Sequence, residues 1–409
     1  LFVDMLRGLA DLFMIQLHTS HGWPRPDLRS GGVWSAAQFF GGLAAPCFLF
    51  LAGASQGLQW GSAEAAGRTV EPRKYIARGL QLVVLGYALR LQMWVIDSGA
   101  YARPGSYFPI VGLTVAYAGA HYAAGKLASA PRRAAWSGLL AAGAWCAAIL
   151  WIRTYEPARL RGLLRVDVLQ CIGGSLVLLN LLAARSSKRV PRSALLAGFA
   201  VLAGLATAWL RPYIPGALPE AIAGYIVQWP SADNKPVVAL FPLLPWVGFA
   251  CMGALCGLGW SRAADSSALE LQLIVTVALG AFLALLTSES WTPAYLLARA
   301  HAWLGPLLRL GYKIGLVCVL MGVALAITRA KAAAFAPLLT LGRASLLVYW
   351  VHLEFAFGVV AKPIVRALDL PGWALGTFLL WVAMWAMAAA RLHINLDALR
   401  GLRRGTATS

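Results

Sequence analysis

Four ionisable side chains lie at helical spacing near the start of the sequence. They are Asp4, Arg7, Asp11 and His18. At about 100° per residue, these positions occupy one stripe about 60° wide on a helix. Eleven residues separate Arg7 from His18, which corresponds to about 16 Å along a helix axis. One face therefore presents a guanidinium and an imidazole at a separation that a long anionic ligand could span.

Two interpretations of this stripe are open. Ionisable groups inside a membrane-spanning helix cost a few kcal/mol each, roughly, so they need partners or a function. In the structural interpretation, Asp4, Arg7 and Asp11 form a charge ladder packed against neighbouring helices, and His18 extends to the membrane interface. In the functional interpretation, the same face lines a ligand passage.

Two more groups of polar residues are candidates for a binding site. Arg90 and Asp97 are seven residues apart and share one face of a predicted helix, and Arg165 and Asp167 should enter the membrane at the same level. They could line a substrate pocket, or they could form structural ion pairs between helices.

Ser345, Tyr349 and His352 also share a helix face, and helix-packing hydrogen bonds explain these three at least as well as catalysis.

The elements that must position these residues are membrane helices. Of the 409 residues, 60% are hydrophobic and 12% are charged, whereas a soluble globular domain has roughly 25% charged residues. This composition excludes a soluble enzyme and predicts an all-α fold, a polytopic transmembrane bundle of about 11–12 helices forming a single domain over 1–409. A span needs roughly 20 apolar residues. The predicted spans are 3–19, 33–58, 75–96, 107–125, 134–153, 166–184, 193–210, 238–260, 270–288, 312–330, 338–360 and 371–391.

The net charge of +19 indicates contact with membrane lipids and not with nucleic acid. Most basic residues lie in short loops beside helix ends, where they meet anionic headgroups and fix topology. With a cytoplasmic N-terminus, inner loops hold about eighteen Lys and Arg against about fourteen outside, a weak positive-inside bias. The loop 61–74 and a tail at about 392–409 are then cytoplasmic, and the connections 211–236 and 289–311 lie outside.

Cysteine usage and motif content give no indication of a metal or of disulfides. All six cysteines fall inside predicted helices and show no Cys-x-x-Cys spacing, so they are interpreted as small core residues. The sequence has no Gly-rich phosphate loop of the Walker or dinucleotide type. A composition dominated by Ala, Leu, Gly and Arg without a glycosylation sequon is typical of a bacterial inner (plasma) membrane protein.

Five stretches of the sequence together resemble a known family. The first is V-D-M-L-R-G-L-A at 3–10, followed by His18. The others are P-C-F-L-F-L-A-G-A-S at 46–55, R-V-D-V-L-Q-C-I-G at 165–173, F-P-L-L-P-W-V-G at 241–248 and L-G-R-A-S-L-L-V-Y-W-V-H at 341–352. Their order resembles the integral-membrane acyltransferase superfamily, which includes heparan-alpha-glucosaminide N-acetyltransferase and bacterial O-acyltransferases acting on envelope glycans.

This resemblance implies transfer of an acyl group, usually acetyl, from cytoplasmic acetyl-CoA to a sugar hydroxyl or amine across the membrane. An acceptor proton must be removed, and imidazole titrates near neutral pH, so His18 is the candidate general base or covalent acyl carrier. Arg7 and Arg78 are candidates for binding CoA phosphates. Asp4 and Asp11 then orient Arg7 and His18, and no metal is involved.

The sequence departs from the heparan branch at the candidate base. The position matching His18 resembles an asparagine in that branch, with a histidine further along the outer loop. Here residues 22–32 contain no histidine, so His21, which also lies on the acceptor side, is the alternative reactive residue.

Functions of other classes remain open. A transporter or flippase for an amphipathic envelope component would also carry buried charges in many spans, but the sequence has no evident inverted repeat. A receptor or scaffold without chemistry is a third hypothesis. The acceptor, acyl chain length and oligomeric state, including a homo-oligomer, are not specified by the sequence.

Overall fold

The computed structural model describes residues 1–68, 70–97, 99–100, 103–186, 191–227, 239–263, 265–288, 296–297, 301–331 and 333–405. Within these ranges the chain is helical and forms no β-strand, so the predicted all-α class is confirmed. Eight of the described helices are long and apolar enough to cross a membrane, which identifies a multi-pass membrane protein.

The helices fall into two compact units. The terminal unit combines residues 1–48 with 319–409, and the central unit comprises 49–318. The helices of the first half are α1 (Phe2–Gly22), α2 (Gly31–Gly41), α3 (Ala44–Ala65), α4 (Pro72–Asp97), α5 (Tyr107–Lys126), α6 (Pro131–Tyr155), α7 (Pro157–Leu163), α8 (Val168–Ala183) and α9 (Arg192–Leu210). Those that follow are α10 (Ile214–Ala217), α11 (Glu220–Ile226), α12 (Leu243–Trp260), α13 (Ser266–Thr287), α14 (Gly305–Lys331), α15 (Ala336–Arg343), α16 (Ser345–Phe357) and α17 (Leu370–Gly405).

Two predicted spans are each broken into two helices. The span predicted at 33–58 is interrupted by a turn at 42–43, between α2 and α3. Pro46 explains this break, because proline lacks an N–H and is tolerated only in the first turn of a helix, where it lies in α3. The span predicted at 338–360 is interrupted at Ala344 and becomes α15 and α16. At both breaks, the backbone N–H and C=O groups of the helix ends lie inside an apolar stretch of the sequence.

Two helix ends also differ from their predicted positions. Helix α14 begins at Gly305, seven residues before the predicted span at 312–330. Helix α17 continues through Gly405, so the described part of the predicted tail at 392–409 is helical. Hydrophobicity locates the membrane core but not the polar turns that extend a helix beyond it.

In the central unit, α3 and α12 cross with their backbones in close contact. The glycines at this crossing are Gly53, Gly57, Gly253 and Gly257. A Cβ atom on Gly53 would lie 1.9 Å from the carbonyl oxygen of Ala250, and one on Gly253 would lie 1.9 Å from that of Phe50. Each helix therefore carries glycines four residues apart, the spacing that lets membrane helices approach closely.

In the terminal unit, glycines bring α1 against α15. A Cβ atom on Gly8 would lie 2.0 Å from the carbonyl oxygen of Leu338, and one on Gly342 would lie 2.0 Å from that of Asp4. Helix α1 also packs on α2, α16 and α17. The indole of Trp381 in α17 donates a hydrogen bond to the carbonyl of Leu12 at 3.2 Å. The stripe-bearing helix is thereby fixed by neighbours from the far end of the chain.

Candidate functional site

Two histidines of the terminal unit are joined by a direct hydrogen bond. Nδ1 of His18 in α1 lies 2.7 Å from Nε2 of His352 in α16. The ring centroids are 5.0 Å apart and the ring planes differ by 2°, so the rings lie side by side in nearly one plane. Nδ1 of His352 lies 2.8 Å from the carbonyl oxygen of Val348, one turn earlier in α16. His352 is fully buried, His18 is partly buried, and together they place two imidazoles inside apolar helices.

Asp4 and Arg7, at the start of α1, form ion pairs that also include Arg343. Arg7 Nη1 contacts Asp4 Oδ1 at 3.2 Å, and Arg343 Nε contacts Asp4 Oδ2 at 3.7 Å. The Arg7 and Asp4 side chains are 29% and 26% exposed, so these contacts resemble surface pairs in strength. Asp4 thus lies between two guanidiniums, in a position to orient Arg7.

Asp11 lies on the same helix, between Arg7 and His18. It is completely buried, and neither carboxyl oxygen has a hydrogen-bond partner among the described residues. Burying an unpaired carboxyl group costs free energy. Asp11 therefore does not orient Arg7 or His18 through a direct hydrogen bond.

His21 has a different environment from His18. Its side chain is exposed at the last turn of α1, Nε2 lies 2.8 Å from Gln38 Oε1, and its ring is 6.1 Å from that of Trp34. The structure brings His21 to the end of α2, whereas His18 contacts α16.

Three of the four charged residues proposed for substrate binding meet in the central unit. Arg90 in α4 forms an ion pair with Asp167, and Arg165 Nε lies 3.9 Å from Asp167 Oδ1. The Arg90 and Asp167 side chains are 13% and 14% exposed. Asp97 is the last residue of α4, and its side chain lies outside the described residues. The charges of this group face one another, as the structural interpretation expects.

Asp167 also begins helix α8. It forms a capping box with Gln170, in which each side chain bonds the other residue's backbone. The hydroxyl of Tyr225 donates a hydrogen bond to the Gln170 carbonyl at 2.7 Å. Burial raises the pKa of Tyr225, with further contributions from Tyr87 and Cys171, so this hydroxyl stays protonated. The V-D-V-L-Q stretch therefore has a local structural reason for its residue types.

Arg78 is exposed on α4, one turn after Lys74. Lys74, Arg68 and Tyr75 line a cavity of about 530 Å³ between the end of α3 and the start of α4, which Glu71 also lines. Ligand sites commonly measure about 300–1,000 Å³. Two cations and an aromatic ring at its wall are suited to a phosphate-bearing ligand.

Sequence reasoning missed two residues of the terminal-unit site. The face shared by Ser345, Tyr349 and His352 allowed helix packing as well as catalysis, and Arg343 was not among the candidate site residues. The break at Ala344 puts His352 and Arg343 on separate helices, so a single helical face could not describe both. The only signal in the sequence was that both residues belong to the stretch 341–352, which resembles a family signature.

The described helices, with hydrogen-bonded imidazoles and ion pairs among their apolar side chains, define a polytopic integral membrane protein. Residues 1–299 match the model of the heparan-alpha-glucosaminide N-acetyltransferase catalytic family, so the chain belongs to that family and is a membrane acetyltransferase. No curated protein matches it. The predicted family is confirmed; the match contains His18 and ends before His352.

Proposed function

We propose that this protein transfers an acetyl group from acetyl-CoA to a hydroxyl or amine of an extracytoplasmic acceptor, with His18 as general base. The acceptor class that the family suggests is an amino sugar or another envelope glycan. The observation that carries the proposal is the hydrogen-bonded imidazole of His18, held on a helix inside the family match. The proposed location is a bacterial inner membrane with the N-terminus in the cytoplasm.

The proposed reaction needs one base that first takes the acceptor proton and then gives it to the departing sulfur. His18 takes the proton of the acceptor O–H or N–H as that atom attacks the thioester carbonyl carbon. A bond forms between the acceptor atom and carbon, the carbon–sulfur bond breaks, and the departing sulfur receives the proton. Asp11, two turns before His18 on α1, remains a proposed member of this site.

Donor binding is proposed at the cations of the predicted cytoplasmic side. Arg7 is held by Asp4, and Arg78 lies one turn after Lys74, which lines the cavity at the start of α4. Arginine and lysine bind phosphate groups, and coenzyme A carries three. Replacing Arg7 or Arg78 with Met is expected to raise the KM for acetyl-CoA more than it lowers kcat.

In the central unit, Arg90, Arg165 and Asp167 are proposed to bind the acceptor, with Asp97 as a further candidate. In the terminal unit, His21 is proposed by itself as an acceptor-binding residue. The pairing of Arg90 with Asp167 favours a supporting role for these two. If this group binds the acceptor, Arg165→Met should raise the KM for the acceptor without changing the KM for acetyl-CoA.

Release of free CoA by the purified protein in detergent tests the proposal, with acetyl-CoA as donor and glucosamine as acceptor probe. His18→Gln is expected to lower turnover by about 10²–10⁴-fold, the usual contribution of a general base. Thr377→Val is the matched control, because it removes another buried hydrogen bond of the terminal unit, to Thr19 at 2.8 Å. Full turnover in His18→Gln would remove His18 from the mechanism.

Direct transfer and transfer through acetyl-His18 differ in one measurement. Acetyl-CoA labelled in the acetyl group and mixed with the protein alone leaves label on the chain only if a covalent intermediate forms. Transport of an amphipathic compound in sealed vesicles without any acyl donor would instead support the transporter or flippase alternative.

A further inference from the structure

The hydrogen bonds of His352 determine where the protons of both histidines lie. A carbonyl oxygen can only accept, so Nδ1 of His352 must carry a hydrogen to bond the carbonyl of Val348 at 2.8 Å. If the ring is neutral, its Nε2 is then a bare acceptor. The proton in the 2.7 Å contact must belong to Nδ1 of His18.

The neutral form of His352 follows from its surroundings. The ring is fully buried, and its two nitrogens bond His18 and the carbonyl oxygen of Val348, neither of which carries a negative charge. An ionised imidazole there would be an uncompensated charge among apolar helices, which is costly. The ring centroid of Tyr349 lies 5.9 Å away, and a phenol supplies no countercharge.

We propose that His352 is a positioning residue that holds His18 in the tautomer protonated at Nδ1, so that the lone pair on Nε2 is the reacting atom. The tautomer depends only on the hydrogen bonds that join His18, His352 and the carbonyl of Val348, whereas its use in acetyl transfer rests on the proposed function. His352 lies beyond the matched residues 1–299, so this role is inferred from the geometry of this chain.

The arrangement has a chemical consequence for proton transfer. When Nε2 of His18 takes the acceptor proton, the positive charge spreads over the ring, and the Nδ1–H bond to His352 becomes charge-assisted and stronger. The same Nε2–H then gives its proton to the sulfur as the carbon–sulfur bond breaks. His352 neither gains nor loses a proton in this cycle, and it stabilises the imidazolium by accepting its hydrogen bond.

If His352 had only a structural role, its Gln and Met variants would lose equal activity, whereas the proposal predicts unequal losses. Glutamine places an amide oxygen near the position of Nε2 and can accept from Nδ1 of His18, whereas methionine has similar length without that acceptor. We expect His352→Met to lower kcat about 10²-fold with an unchanged KM for acetyl-CoA, and His352→Gln to stay within about tenfold of the native enzyme. Equal losses in both variants, or full activity in His352→Met, would overturn the proposal.

A spectroscopic measurement tests the tautomer without any turnover. In protein labelled with ¹⁵N-histidine at about pH 8, above the ordinary histidine pKa, the signals lost in His18→Gln identify His18. We expect a protonated Nδ1 and an unprotonated Nε2 in the native protein, and loss of this pattern in His352→Met but not in Thr377→Val. A proton on Nε2 of His18 in the native protein contradicts the inference.

The two measurements separate the two proposals. If the native protein shows the expected tautomer but does not consume acetyl-CoA, the proposed function fails while the hydrogen-bond assignment stands. If it consumes acetyl-CoA through His18 with the opposite tautomer, the proposed function stands and the role of His352 fails.

Discussion

Several ionisable residues inside the described apolar helices pair with one another. Arg90 forms an ion pair with Asp167, so each charge offsets the cost of burying the other. His18 bonds His352, so two buried polar rings satisfy each other's hydrogen-bonding groups. Asp11 differs, because it is fully buried without a hydrogen-bond partner among the described residues. The paired groups have a structural explanation in these contacts, whereas Asp11 makes no such contact.

Replacing Asp167 with Asn tests whether its pair with Arg90 is structural. Asparagine keeps the helix-capping function but removes the charge, which leaves the Arg90 guanidinium buried. We expect a loss of about 3 kcal/mol in unfolding free energy, measured by denaturant titration in detergent. A double variant, Arg90→Met with Asp167→Asn, should recover part of that stability. No loss in the single variant would show that the pair contributes little to folding.

Replacing Asp11 with Leu tests whether an unpaired carboxyl group is retained for function. Leucine removes a buried polar group, so we expect unfolding free energy to rise by about 1–3 kcal/mol. If Asp11 belongs to the acetyl-transfer site, turnover of acetyl-CoA should fall in the same variant. A more stable protein with full turnover would exclude Asp11 from the site.

At the scale of helices, glycines allow close backbone contact between packed helices. Helices α3 and α12 cross at four glycines in the central unit, and α1 meets α15 through Gly8 and Gly342 in the terminal unit. In a membrane, lipid tails compete with apolar side chains, so van der Waals contact between backbones contributes much of helix association. These contacts fix the rotation of α1 and thereby the direction of its polar stripe.

Substitution of one crossing glycine should therefore destabilise the central unit. In Gly53→Ala the added Cβ would lie 1.9 Å from the Ala250 carbonyl oxygen, which forces the helices apart, and we expect a loss of about 2 kcal/mol. Gly259→Ala is the matched control on α12, because a Cβ there meets nothing within 4 Å. Thermal unfolding in detergent measures both, and equal melting temperatures would contradict the packing argument.

At the scale of the whole molecule, the proposed reaction requires a fixed orientation in the membrane. With the N-terminus in the cytoplasm, residue 30 lies outside and residue 66 inside; both Ser30 and Ala66 are exposed. In intact cells, a membrane-impermeant maleimide should label Ser30→Cys, whereas Ala66→Cys should react only after permeabilisation. The unmodified protein gives the background of the native cysteines. The reverse labelling pattern would overturn the predicted topology.

The sequence predicted the helical class, most spans and the family, because hydrophobicity over about 20 residues is a local property that lipid imposes directly. It also placed His18, Arg7 and Asp4 on one face, because helical periodicity is local too. The breaks at 42–43 and Ala344 were missed, since turn residues inside an apolar stretch do not lower its hydrophobicity enough to divide it.

Only the tertiary structure decided which polar groups meet. His18 and His352 are 334 positions apart, and no periodicity connects two helices at opposite ends of a chain. Their contact depends on how α1 and α16 rotate and pack, which small residues and backbone approach determine across the whole terminal unit. A candidate base can therefore be identified from local sequence, but its hydrogen-bond partner, and with it the reactive nitrogen, is a property of the folded chain.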